Sequence, residues 1–299
     1  VPQGRATVRP EPPPGSSATL GAVYPARSPL LGARALALSA TAVVARRLGL
    51  ERLRERANRP LMELAEMQPV TAAWWRERRT RPGALHYLAL GDSTAQGIGA
   101  SVPGRSYVGQ LADRIEARLG EPIEVTNLGV SGAPSALCAR DQLPRAAKAL
   151  AKRPADLVTL AIGANDIADW EPRAFHRNLA AILDALPAHA IVAELPCFHL
   201  PWNDRKVREA NAIVHTLAAA RGLAVVPLYA ATRRRGLRGI LTEFAADAFH
   251  PNDRGYEVWA DAFWPLVRAR LDEIRAPERN RRARGDDGSR ASAALPPRI

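Results

Sequence analysis

From His86 onward, continuous apolar runs alternate with amphipathic stretches, and few folds accommodate that rhythm. The apolar runs are His86–Leu90, Ile123–Leu128, Leu157–Ile162, Ala190–Glu194 and Leu223–Pro227. Each is short enough for a strand and too short for a buried helix. The stretches Tyr107–Leu119, Ala139–Ala151, Arg173–Leu186 and Arg205–Arg221 space their apolar residues as helices do, and Gly255–Ile274 closes the series. Strands that alternate with helices predict a parallel sheet covered on both faces. The 299 residues suffice for one sizeable domain with extensions or two small domains, and 47% hydrophobic residues can supply a core. No internal repeat interrupts the pattern.

The two ends differ in kind from this body. Residues 1–30 are rich in Pro, Gly, Ser and Arg without periodicity and read as disordered. The chain begins at Val1 and its first methionine is Met62, so no function is rested on that segment. Residues 31–82 read as a helical, basic extension, 83–276 as the main domain and 277–299 as a disordered tail. The apolar run Ala35–Ala45 is 11 residues long and is flanked by Arg34, Arg46 and Arg47. A bilayer takes roughly 18 or more apolar residues to span, so this run is too short. It reads equally as a weak membrane contact through residues 31–50 or as a helix packed on the main domain. Arg46-Arg47 is a poor cleavage region, so a cytoplasmic or membrane-associated protein is expected in preference to a secreted one.

The net charge of +12 is confined to the ends. Residues 1–85 hold 14 Arg against 6 acids, and 277–299 hold 6 Arg against 3 acids. The span 86–276 is nearly neutral, with 22 basic and 21 acidic residues. No helix-turn-helix, zinc-finger or RNA-binding pattern accompanies the charge, so no nucleic-acid partner is expected. Cys138 and Cys197 fit neither a disulfide framework nor a metal motif and read as free thiols.

Four segments fall at strand ends or in loops, where an α/β sheet builds its site. They are Gly91-Asp92-Ser93, the stretch Asn127 to Ser135, the stretch Ala161 to Asp166, and Asp247-Ala-Phe-His-Pro-Asn252. Ser93 stands just past a strand end and is a candidate nucleophile. A serine hydroxyl needs a neighbouring base, and His250 is a sensible one. The imidazole needs an acceptor that fixes its tautomer, and Asp247 lies three residues before it. The oxyanion needs preorganised donors. The backbone N–H groups of Ser93 and Gly132 and the side-chain amide of Asn165 can supply them.

These segments resemble the four blocks of the SGNH (GDSL) hydrolase superfamily, in the family's order Ser, Gly, Asn, His. The resemblance covers about residues 86–275 and rests on G-D-S at 91–93, the Ser131-Gly132 pair, G-A-N-D at 163–166 and D-A-F-H-P at 247–251. It implies a three-layer α/β/α sandwich with a five-stranded parallel sheet, similar to flavodoxin. It further implies ester hydrolysis with no metal and no organic cofactor. By resemblance, Ser93, Asp247 and His250 form the triad, and Gly132 and Asn165 complete the oxyanion hole. Thr94 departs from the pattern, where the family often has Leu or Ile, and altered local packing is the expected consequence. The G-x-S-x-G elbow of other α/β-hydrolases is absent, since Ala95 occupies its last position.

Asp92 and Asp166 read as structural groups that bond loop backbone. His199, in the loop after the fourth run, is a rival base without an Asp three residues earlier, and reads as rim. His86, His176, His189 and His215 read as structural or exposed. Trp170, Phe198 and Trp202 are candidates for an apolar wall that binds substrate, with packing of the loops themselves as the alternative. Trp259 and Trp264 on the last helix read as core. The substrate is then a small-molecule, lipid or carbohydrate ester. Carbohydrate O-acetyl ester hydrolysis and acyl transfer would use the same residues. A non-catalytic binding protein on the same fold is the competing class, and an adaptor built on the basic ends is a third.

Overall fold

The computed structural model describes residues 66–199 and 201–292. Segment 1–30, the apolar run Ala35–Ala45 with its membrane-contact reading, and most of the 31–82 extension lie outside the described residues. Among the described residues no helix is long and apolar enough to cross a membrane.

Five strands form one sheet: β1 His86–Gly91, β2 Glu124–Asn127, β3 Leu157–Ala161, β4 Ile191–Ala193 and β5 Ala224–Val226. Their order is β2-β1-β3-β4-β5 and every pair is parallel. This is the flavodoxin-like doubly wound order, whose switch point lies between β1 and β3. Residue alternation sorts each strand between two cores. Tyr87 and Ala89 of β1 join one core, and Leu88 and Leu90 join the other. Ile191 and Ala193 of β4 face the first, and Val192 the second.

On the first face lie a helical stretch at 66–78 (α1), α3 (Tyr107–Leu119) and α10 (Asp253–Ser292). Between β1 and α3 stands a single turn, α2 (Ser93–Gln96). Ser106 starts α3 by accepting a bond from Gly109 N–H at 3.1 Å, and Gly120 ends it in the left-handed conformation. Tyr107 stacks on Phe263 with ring centroids 5.1 Å apart, and Trp259 lies 5.5 Å away. Trp259 is core, and Trp264 packs against it partly buried.

The other face carries α4 (Ser135–Leu137), a π-helical segment Cys138–Gln142, α5 (Leu143–Lys152), α6 (Pro172–Asp184) and α7 (Pro201–Ala219). Two short helices, α8 (Leu228–Arg233) and α9 (Gly236–Thr242), connect β5 to α10.

Three features differ from the sequence expectations. The packed body begins before residue 83, because α1 docks on it. Trp75 is core, and buried Arg78 donates to Ile123 O at 2.7 Å and pairs with Glu116 at 2.5 Å. The expected single helix at Ala139–Ala151 starts at Ser135 and contains the π-helical bulge. Finally, α10 runs past Ile274 to Ser292, so part of the expected disordered tail is helical. The stretch 278–284 after Pro277 holds one Glu, four Arg and one Ala, all good helix formers, among its seven residues, whereas Gly285 and Gly288 beyond it are not.

Candidate active site

Ser93 opens α2 where β1 ends, at the carboxyl edge of the sheet. Asp92 caps this turn: its Oδ1 accepts from Thr94 N–H at 2.9 Å and from the Thr94 hydroxyl at 2.8 Å. Burial lifts the Asp92 carboxyl above the usual range despite those two bonds. Thr94 is therefore more than a packing change, which corrects the sequence expectation. Its hydroxyl satisfies a buried carboxyl that Leu or Ile could not reach.

Three side-chain amides clamp the turn. Gln142, fully buried in the π-helical segment, donates from Nε2 to Gly91 O at 2.7 Å and accepts from Gly91 N–H at 3.1 Å. Asn127 donates to Ala95 O at 2.7 Å and accepts from Gly129 N–H at 2.9 Å. Gln96 accepts from Ser131 N–H at 2.9 Å, which ties the Gly132 loop to the nucleophile turn.

The fourth block closes on Ser93 from the other end of the chain. Residues 243–252 form a compact loop in which Phe244 bridges Pro251 and Ala245 N–H donates to His250 O at 2.8 Å. Ala248 turns the chain with φ of 53°. Asp247 Oδ1 accepts from the N–H groups of Phe249 and His250, both at 3.0 Å. Its Oδ2 lies 2.6 Å from His250 Nδ1, and His250 Nε2 lies 2.9 Å from Ser93 Oγ. Burial pushes the Asp247 carboxyl up, but the His250 bond and the two N–H bonds outweigh it and hold it below the usual range. An ionised carboxylate only accepts, so Nδ1 carries the proton and Nε2 is left to receive the serine's.

The two residues expected at an oxyanion hole are tied to the turn that carries Ser93, Gly132 through its neighbour Ser131 on Gln96 and Asn165 through Asp92. Gly132 lies in a turn closed by Ala133 N–H on Val130 O at 3.1 Å, with φ of 74°. Open space surrounds the position of a Cβ there, so glycine serves the backbone conformation. Asn165, in the 3₁₀ turn Ala164–Ile167, donates to Ala133 O at 3.1 Å and approaches Asp92 Oδ2 at 3.5 Å. Asp166 bonds Ser135 through N–H at 2.8 Å and hydroxyl at 2.6 Å, the structural role expected of it.

The three candidates for the substrate wall separate. Phe198 lies 6.5 Å from Phe249, whose ring is edge-on to His250 at 5.0 Å. Trp170 instead packs on Phe175 at 5.3 Å and donates to Glu209 at 2.8 Å. Trp202 is 62% exposed. Phe249 itself escaped the sequence reading, although it stands between Asp247 and His250. Gln142 was missed too, since nothing in a helical pattern flags an amide that completes a strand end. His199 Nδ1 sits 3.7 Å from Cys197 Sγ and takes no part in the triad. Both cysteines are free and buried, and burial pushes the Cys138 thiol up to about 12. Among the described residues no group of three or more His, Cys, Asp or Glu is gathered as a metal cluster.

A sequence model of the GDSL-like Lipase/Acylhydrolase family matches residues 89–258, which contain every residue of this site. GDSL-like esterase Rv1075c of Mycobacterium tuberculosis (strain ATCC 25618 / H37Rv) is 28% identical over 222 residues, 66% of this chain and 66% of the relative. The match thus spans slightly under two thirds of that relative's length. Crystal structures of other proteins share the fold, among them the following two. TesA superposes with a TM-score of 0.51 at 24% identity, covering 62% of this chain and 99% of that one. A member of the lipolytic protein G-D-S-L family from Veillonella parvula DSM 2008 gives 0.50 at 22% identity, covering 61% and 97%.

Proposed function

This chain belongs to the GDSL-like lipase/acylhydrolase family, and on that premise we propose that it hydrolyses carboxylic esters through an acyl-enzyme on Ser93. One observation carries the reading: an unbroken hydrogen-bonded line runs from Asp247 through His250 to Ser93, at 2.6 and 2.9 Å. Ser93 Oγ attacks the ester carbonyl carbon as its proton passes to His250 Nε2. The imidazolium that forms is stabilised by Asp247, which stays ionised. The N–H groups of Ser93 and Gly132 and the Asn165 amide receive the oxyanion. The C–O bond then breaks, and His250 returns the proton to the departing alcohol. Water, deprotonated by the same imidazole, attacks the acyl carbonyl and releases the acid and Ser93.

Phe249 and Phe198 place apolar surface next to the base, which favours a substrate with an apolar group on that side. The test is hydrolysis of p-nitrophenyl esters from acetyl to palmitoyl by wild type and Ser93→Ala. Turnover should fall at least about a thousandfold without the nucleophile. Equal activity in both proteins would overturn the reading.

A further inference from the structure

Among the described residues eight large apolar side chains are exposed, and all but Val70 lie in segments that follow the carboxyl ends of strands. Three of them fall within five residues on α9: Leu237 is 71% exposed, Ile240 42% and Leu241 75%. Spacing of three and four residues puts them on one helix face. This helix packs against α8 and α10. Gly239, opposite the apolar face, is buried, and a Cβ on it would lie 2.5 Å from Arg235 Cβ and 3.0 Å from Glu243 Oε2 of its own helix turns. The apolar face therefore points to water while the small residue packs inward.

Arginines frame this face. Arg233, Arg234, Arg235 and Arg238 are all exposed. Arg235 pairs with Glu243 at 2.5 Å, and Arg233 lies over the Tyr229 ring at 5.9 Å. The end of α9 is bound directly to the catalytic loop, where Asn252 Nδ2 donates to Thr242 O at 2.9 Å and to Phe244 O at 3.0 Å. Phe249, 42% exposed, stands on that loop beside His250.

We infer that this face docks the protein on an anionic lipid surface. Leu237, Ile240 and Leu241 enter the acyl boundary while the flanking guanidinium groups meet the phosphates of the headgroups. The charge selects this occupant over a second copy of the chain, since a symmetric pair would bring the exposed Arg234 and Arg238 of one copy against those of the other. The inference rests on the ester-hydrolase reading in one respect: it makes esters held in a lipid surface the substrates presented to Ser93.

The test uses the full chain carrying Ser93→Ala, so that binding is separate from turnover. Cosedimentation with phosphatidylglycerol/phosphatidylcholine vesicles is compared with pure phosphatidylcholine at low and high salt. Binding should require the anionic lipid and weaken with salt. Adding Leu237→Asp and Leu241→Asp should cut vesicle affinity at least about tenfold. The same two substitutions in the Ser93 protein should leave p-nitrophenyl acetate hydrolysis unchanged. An environment-sensitive dye on Leu241→Cys should shift to the blue on anionic vesicles, the native thiols being buried. No vesicle binding, undiminished binding by the aspartate variant, or an unshifted dye overturns the inference. Self-association abolished by the aspartates would also overturn it, giving the face to a second copy. Absence of ester hydrolysis by the Ser93 protein would instead strike the enzymatic reading and leave the vesicle result to stand by itself.

Discussion

Asp247 does two separable jobs, and one substitution tells them apart. Its Oδ2 fixes the His250 tautomer at 2.6 Å, while its Oδ1 holds the loop through two backbone N–H groups at 3.0 Å. Asp247→Asn keeps an oxygen for the backbone but can present an N–H to the imidazole, which favours the wrong tautomer. Turnover of a soluble ester should fall by about a thousand- to ten-thousandfold with KM little changed. The ionic job appears in stability. The folded-state pKa of Asp247 is lowered, so its contribution is present above the ordinary aspartate value. That contribution drains away as pH falls through the lowered one. The melting-temperature gap between wild type and Asp247→Asn should therefore be full at neutral pH and narrow below about pH 4. A gap that stayed constant into acid would mean that the carboxylate charge adds nothing. At this scale the sequence was informative about chemistry and silent about support. The structure brings Ser93, Asp247 and His250, which the sequence grouped, into one hydrogen-bonded line. The Thr94 hydroxyl on buried Asp92 was illegible, because a one-residue departure does not reveal its hydrogen-bond partner.

Elements were legible where both faces are buried. The five apolar runs became the five strands: β1 gains Gly91, and the other four lose one residue at one or both ends, where the ladder stops. Helix α3 spans Tyr107–Leu119 as its periodicity predicts, since Ser106 and Gly120 cap it. The π-helical segment was not legible, because it looks like ordinary helix in its residue pattern. Its effect is local and large: it presents Gln142 to the end of β1, where the amide does for Gly91 what a neighbouring strand would do. π-bulges recur at functional sites for this kind of re-aiming. Gln142→Leu keeps the bulk and strips both bonds. The buried Gly91 N–H would then lack its partner, which costs about 1–3 kcal/mol. Ser93 lies two residues downstream, so kcat should drop about tenfold or more while KM holds. Thermal unfolding and ester kinetics on the same preparation check both. A destabilised variant with wild-type kcat would show that the amide supports the sheet and leaves the nucleophile untouched.

Ser93 and His250 stand 157 positions apart in sequence, so the whole molecule must hold them at 2.9 Å. The loop after α2 and the start of α10 do this together. A Cβ on Gly99 would sit 2.9 Å from the His250 Cβ, so the backbone at Gly99 lies directly against the base. Tyr256 donates to Ile98 O at 2.6 Å. Asp253 accepts from Ser101 N–H at 2.7 Å and from the Ser101 hydroxyl at 2.6 Å. These ties join the two ends of the catalytic line across the carboxyl edge of the sheet. They were unreadable in sequence, because long-range pairing of polar residues leaves no periodic signal. The amino edge has its own link: Arg153 pairs with Glu124 at 3.0 Å and donates to Ala84 O at 3.2 Å, where β1 and β2 begin. The two edges should respond differently to the loss of one side chain. Asp253→Ala removes two bonds near solvent and should lower stability by about 1 kcal/mol. It should also slow acylation severalfold, since small displacements of reacting groups are costly. Arg153→Ala should destabilise the fold by a similar amount and leave kcat where it was. The rate of Ser93 phosphonylation by a fluorophosphonate, in which the serine oxygen attacks phosphorus and fluoride leaves, measured for both variants at matched folded fraction, separates the two. Equal slowing would mean that catalysis tracks global stability. Slowing in Asp253→Ala alone would locate the alignment of Ser93 and His250 in the contacts of the carboxyl edge.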